Sequence, residues 1–270
     1  MSETMSVVEE IREQQKKALK DMNTKEKLAY FWDYYKIHTF VVIAVIAFAA
    51  TFIYQYATNR DYGFYAAVIN ADTTALTEVN PWGSEFEEYA GIDTEEYQAY
   101  IDTSIALSDN DSTQYSMSST EKLLAMVQTG IVDVIVADTA VFENYAQYEY
   151  FMNLEEVLPA EVYEKYKDCL YYTDAATFDT GDDDTYYSQD ELPDPDTYVI
   201  NHRDPSTMEK PVAVGICLPE SNKLMQTGCY DYLSNMGTTY QGYPSEAVLG
   251  IPVTSTKLDT VLKFLEFMEE

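Results

Sequence analysis

One uninterrupted apolar run, Thr39 to Tyr56 (TFVVIAVIAFAATFIYQY), constrains this chain more than anything else in it. It carries no charge, and Gln55 is its one strongly polar side chain. Wound as an α-helix at 1.5 Å per residue, the run reaches about 27 Å, close to the roughly 30 Å of a bilayer's hydrocarbon core. In lipid a helix satisfies every backbone N–H and C=O within the segment itself. A single transmembrane helix over 39–57 is therefore expected. It separates a helical segment, 1–38, from a larger domain, 59–270.

Charge is divided by that helix. Up to His38, seven Lys/Arg balance seven Asp/Glu, so the whole net charge of −31 lies beyond the span. Such a domain is repelled by nucleic acid and by anionic head groups. Lys25, Lys27 and Lys36 precede the span closely, against Arg60 alone after it. That bias places the N-terminus in the cytoplasm and the acidic domain outside. The residues after the apolar run, Tyr54-Gln55-Tyr56-Ala57, lack a small-x-small cleavage pattern, so a retained signal-anchor is expected rather than a cleaved signal peptide. Cys169, Cys217 and Cys229 show no metal-ligand spacing. They read either as buried thiols or, for Cys217 and Cys229, as an extracellular disulfide.

Residues 5–22 have the 3- and 4-residue apolar spacing of an amphipathic helix, suited to the inner leaflet, to a partner helix, or to a solvated cytoplasmic helix. Asn23 and Glu26 make a capping box for the next helix. Its aromatic run, Tyr30 to Tyr35, leads into the span as an inner interfacial belt, with Tyr54 and Tyr56 as the outer one.

Beyond Asn59 the pattern is α/β. Phe64 to Asn70 reads as a buried strand, Asn80 to Gly83 as a turn before a helix at 84–90, and residues 97–107 as a strand wet on one face. Ser118 and Glu121 read as a capping box, Gly130 as a helix stop, and Ile131 to Ala137 as a second buried strand ending at Asp138. A helix over 160–170, an irregular acidic stretch over 171–195, strands at 197–201, 212–218 and 247–253, and a helix over 221–235 follow. A last helix is capped by Thr256 and Asp259 and carries Leu258, Val261, Leu262, Leu265 and Met268 on one face. Alternating strands and helices predict a largely parallel sheet covered on both sides.

The unit Glu121 to Leu158, with Gly130, Asp133-Val134-Ile135-Val136 and Asn153-Leu154-Glu155-Glu156-Val157-Leu158, resembles the extracellular solute-binding proteins of ABC importers. The segments PVAVGICLPES and AVLGIPVTSTKLDTVLKFLEFM are similar to that family's closing pattern. The resemblance spans 61–270 and implies a two-lobed periplasmic-binding-protein-like α/β domain on a bacterial cell surface, with one lobe shortened and a membrane helix in place of a lipid anchor. It implies a small-molecule or peptide ligand and ABC transporter subunits as partners, but it does not supply the site, because function lives in the site rather than in the fold.

Ligands of open α/β sheets sit beyond the carboxyl ends of the strands. That rule selects Asn70, Asp72, Asp138 and Thr139, the last two at a helix N-terminus. Equally, Asp138 and Thr139 read as plain helix caps. Trp82 reads as a stacking platform for a ring or as packing. The acidic loop 179–184 has hard oxygen ligands, yet an EF-hand starting at Asp182 would put Tyr187 where Gly is needed and Pro193 where Glu is needed. No metal or other cofactor is therefore expected. There is no GxSxG, HExxH or Gly-rich phosphate loop, and the chain has two histidines, His38 and His202. These features favour non-covalent capture over catalysis; the alternative is a surface scaffold whose cleft is filled.

Overall fold

The computed structural model describes residues 16, 22–75, 82–107, 114–177 and 200–270. The segment 5–22, the turn Asn80–Pro81, the loop 109–112 and the acidic stretch 178–199 lie outside the described residues, apart from Lys16 and Met22. The chain divides into two compact units, Met1–Asn59 and Arg60–Glu270.

The first unit contains one unbroken helix, α1 (Thr24–Thr58). Its start is the expected capping box: Asn23 Oδ1 accepts from the Lys25 and Glu26 amides at 2.9 and 3.0 Å, and Asn23 N donates to Glu26 Oε2 at 2.9 Å. Within it, Tyr35–Tyr56 is long and apolar enough to cross a membrane. Its large side chains, Phe40, Ile46, Phe48 and Ile53 among them, are exposed, the arrangement that suits lipid rather than a protein core.

The second unit is built on a mixed six-stranded sheet of order β2-β1-β3-β8-β5-β4. The strands are β1 (Asp61–Val68), β2 (Tyr97–Asp102), β3 (Val134–Asp138), β4 (Leu170–Asp174), β5 (Pro211–Cys217) and β8 (Ala247–Gly250). A two-stranded hairpin, β6 (Thr239–Tyr240) with β7 (Tyr243–Pro244), precedes β8. Strands β2, β1 and β3 run parallel. The β3–β8, β8–β5 and β5–β4 pairs are antiparallel, so the largely parallel sheet expected from the alternation holds for one half only. Two lobes with a cleft between them were also expected. The residues described in this unit instead form one compact body around one main sheet, and no second lobe is seen among them.

Both faces of the sheet are covered, which is why β1 reads as a continuous apolar run. Phe64, Ala66 and Val68 point to one face, where α2 (Trp82–Ala90), α5 (Leu154–Val157), α6 (Ala160–Tyr166), α7 (Lys223–Gln226), α8 (Asp231–Asn235) and α9 (Leu258–Phe267) contribute core residues. The rings of Phe64, Phe86 and Phe264 meet there at 4.7–5.3 Å. Tyr65, Ala67 and Ile69 point to the other face, against α3 (Gln114–Gln128) and α4 (Thr139–Ala146). On that side Phe142 stacks on Phe151 at 4.2 Å and meets Tyr171 edge-on at 5.2 Å. A Cβ on Gly250 would sit 2.6 Å from Phe151 and 2.7 Å from Phe142, so only glycine lets these rings lie flat on the sheet.

Several boundaries differ from the sequence reading. Residues 103–107 leave β2 and turn back toward β1. Helix α3 starts at Gln114, so Ser118 and Glu121 lie within its first two turns and do not form its N-cap. Gly130, at φ +69°, does end that helical segment. The 221–235 helix is two short helices, broken where Gly228 takes φ +78°. Tyr171–Asp174, expected to be irregular, belongs to β4. Thr256 does not cap α9, whose N-cap is Lys257 with no side-chain hydrogen bond. All three cysteines are free, and Cys217 and Cys229 lie in cores on opposite faces of the sheet, which a disulfide would have to bridge.

Candidate functional site at the carboxyl edge of the parallel strands

β1 has β2 on one side and β3 on the other; the connection leaving β1 runs to β2, and the one leaving β3 runs the other way, toward β4. That is the topological switch point, where the diverging connections leave a crevice. Asn70 follows the end of β1 there, and Asp138 ends β3. Asn70 has φ +57°, a left-handed conformation that Asn tolerates better than most residues. Its Nδ2 donates to Asp138 Oδ2 at 3.0 Å, its Oδ1 accepts from the Leu107 amide at 2.7 Å, and its own amide donates to Ile105 O at 3.0 Å. One side chain thus joins the ends of β1 and β3 to the segment after β2.

Asp138 is buried and is the N-cap of α4, its Oδ1 accepting from the Val141 amide at 3.2 Å. Thr139 Oγ1 accepts from the Glu246 amide at 2.9 Å and donates to Glu246 O at 3.2 Å, tying α4 to the residue ahead of β8. Asp72 is exposed and closes an Asx turn with the Thr74 amide and hydroxyl at 2.9 and 2.6 Å; its own amide donates to Cys229 O. The two bonds from Thr74 hold the Asp72 carboxyl below its usual range. Trp82 opens α2 and packs on the first core, where it lines a cavity of about 10 Å³ with Val68, Ile101, Val136 and Phe264. That space holds one water at most. The structure therefore joins Asn70 directly to Asp138, sets Thr139 next in chain, and leaves Trp82 on the packed side of the sheet.

Two further tyrosines belong to this edge and carry no motif that sequence reading could use. Tyr230, fully buried, donates from its hydroxyl to Ile69 O at 2.6 Å. Tyr232 has a buried hydroxyl with no hydrogen-bond partner among the described residues. Burial, then the nearby Asp138 charge, push its phenol well above the usual value.

Three buried carboxylates lie around the sheet: Asp133 at the amino edge of β3, Asp102 at the carboxyl end of β2, and Glu143 on α4. Asp133 is fully buried below Tyr65, accepting from the Tyr65 amide at 3.0 Å, the Ser255 hydroxyl at 2.9 Å and Lys257 Nζ at 3.2 Å. Burial raises it, and Lys257 opposes that rise. Asp102 ends β2 and takes hydrogen bonds from Tyr65 at 2.5 Å, Lys122 at 2.7 Å and Ser104 at 2.6 Å. Burial works to raise it, but those donors prevail and hold it at about 2. Glu143, one turn beyond Thr139 on α4, accepts from Tyr171 Oη at 2.8 Å and Thr173 Oγ1 at 3.3 Å, and burial pushes it up to about 7. Among the described residues, no group of three or more His, Cys, Asp or Glu is placed to hold a metal ion.

No known protein family, characterised protein or solved structure matches this chain.

Proposed function

We propose that the protein is a membrane-tethered recognition module that acts by non-covalent binding, with its ligand seat at the carboxyl edge of β1 and β3. The observation that carries this reading is the switch point itself, where Asn70 is held at positive φ against Asp138. Backbone held in a sparsely populated region is characteristic of ligand clamps. The buried Tyr232 hydroxyl beside that edge has no hydrogen-bond partner among the described residues and supplies a polar group for a ligand. In this reading α1 anchors the chain with its N-terminus in the cytoplasm. The acidic domain, a solute-binding-like module reduced from the two-lobed form, faces outward and hands a small molecule or peptide to transporter subunits.

A thermal-shift screen of the full chain in detergent tests it. A sugar, amino acid or peptide at a hundredfold excess over its dissociation constant stabilises the domain by about 2.7 kcal/mol, and Asp138→Asn abolishes that shift while leaving the unliganded melting point readable.

A second reading, a non-catalytic surface scaffold, draws on a different observation: the Asn70 amide, both Asp138 oxygens and the Thr139 hydroxyl are already bonded within the chain. A flat screen, together with recovery of the same partners by residues 1–58 and by the full chain, favours the scaffold.

A further inference from the structure

His202 is the one buried imidazole among the described residues, and its surroundings fix its protonation. Its Nδ1 lies 2.8 Å from the carbonyl oxygen of Tyr172, an acceptor, so Nδ1 carries the proton. The backbone closes the same loop from the other side, the Tyr172 amide donating to His202 O at 2.8 Å. The 200–204 segment is thereby fastened to the outer edge of β4, where the sheet has no further strand among the described residues. The ring stacks on Tyr171 at 4.5 Å, nearly parallel to it. Its other nitrogen, Nε2, is buried and has no partner among the described residues. Glu143 Oε2 lies 3.6 Å from Nδ1, and both side chains are about nine-tenths out of solvent.

The groups facing this pair can be named element by element. α4 presents Glu143 itself and, one turn earlier, Thr139. β4 presents Tyr171 and Thr173, the two hydroxyl donors. β5 brings the buried Cys217 thiol near Tyr171, and β6 brings Tyr240, whose ring is 6.0 Å from His202. Arg203 follows His202 but is committed to Glu246 at 2.8 Å and to Asp168 O at 2.7 Å. Among the described residues, Glu143 is therefore surrounded by hydroxyls, a thiol and a neutral imidazole.

We propose that closing this edge moves one proton from His202 to Glu143, making the pair a clamp that holds the 200–204 segment on β4 and slackens as the pH rises past neutral. In water near pH 6 the open pair is a carboxylate and an imidazolium. Once buried, each charge has only the other, 3.6 Å away and not hydrogen-bonded to it, and burial favours the neutral pair. The imidazolium releases its proton from Nε2, the nitrogen left without an acceptor, and the carboxylate takes one up. The carboxyl O–H then donates to Tyr171 Oη across the same contact. The transfer leaves net charge unchanged, so closure is insensitive to pH while both steps occur. Burial raises Glu143 to about 7 and lowers His202 below its usual value. A raised carboxyl favours the closed edge below its unfolded value, and that support is lost as pH climbs to about 7. The lowered imidazole works in the opposite direction: it favours the closed edge above its unfolded value and loses that support as pH falls.

Amide hydrogen exchange on the full chain in lipid nanodiscs reads this directly through the Tyr172 amide. After correction for intrinsic exchange, its protection falls about two- to threefold from pH 6 to pH 8. Glu143→Gln leaves the imidazole alone and reverses the trend, a rise of about fourfold over the same range. His202→Asn keeps a donor for Tyr172 O and steepens the fall to about tenfold. Equal pH slopes in the wild-type chain and Glu143→Gln overturn the proposal, as does a wild-type protection that does not change. The readout involves no ligand, so it stands or falls apart from the binding site at Asn70 and Asp138.

Discussion

The two halves of the sheet bury carboxylates by opposite means. In the parallel half, Asp102 and Asp133 each meet a lysine, Lys122 at 2.7 Å and Lys257 at 3.2 Å. In the antiparallel half, Glu143 meets two hydroxyls and a neutral ring. Burial raises all three, and the partner decides the outcome. Asp102 ends at about 2, whereas Glu143 ends at about 7. The cation at 2.7 Å, joined by two hydroxyls, makes Asp102 a fixed charge; the cation at 3.2 Å only limits the rise at fully buried Asp133; hydroxyls alone leave Glu143 a proton carrier near neutral pH.

The sharpest way to break this contrast is Asp133→Ala. It leaves Lys257, the Ser255 hydroxyl and the Tyr65 amide without their shared acceptor, and a cost of about 3–5 kcal/mol is expected in urea unfolding. A loss under about 1 kcal/mol would place Asp133 outside the group of structural ion pairs.

Next in size is the acid limb from Asp102. Its lowered carboxyl supports the fold above its unfolded value of 3.8, and that support fades as pH falls toward about 2. Because Lys122 is half exposed, the limb is worth about 1–2 kcal/mol, and Asp102→Asn should flatten it in acid titrations followed by circular dichroism.

The smallest effect is expected from Lys165→Met, which removes an exposed pair with Glu269. A change below about 0.5 kcal/mol in melting experiments would show that charge matters here only where water is excluded.

What the sequence made legible follows from how local each signal is. The capping box at Asn23, the apolar span, the buried run of β1 and the glycine stop at Gly130 depend on neighbours within a few residues, and each appears where expected. The strand-end rule likewise led to Asn70 and Asp138, which proved to be hydrogen-bonded across 68 residues of chain. Strand direction was not legible, because β8 and β5 are as apolar as parallel strands when both faces are covered. β4 was hidden because Leu170-Tyr171-Tyr172-Thr173-Asp174 runs into an acidic stretch and lacks a long alternation. His202 and Glu143 gave no signal, since what unites them is a fold contact between α4 and the edge of β4.

The place of β8 has a consequence for how the molecule is made. It sits in the middle of the sheet, between β3 and β5, yet follows all five other strands in the chain. On the ribosome the early trio and the β5–β4 pair must each wait, with one open flank, for the strand that welds them. Long-range pairings of this kind fold late and expose sticky edges meanwhile. A nascent chain halted before Ala247 would therefore hold two unjoined fragments of sheet rather than a smaller version of the whole.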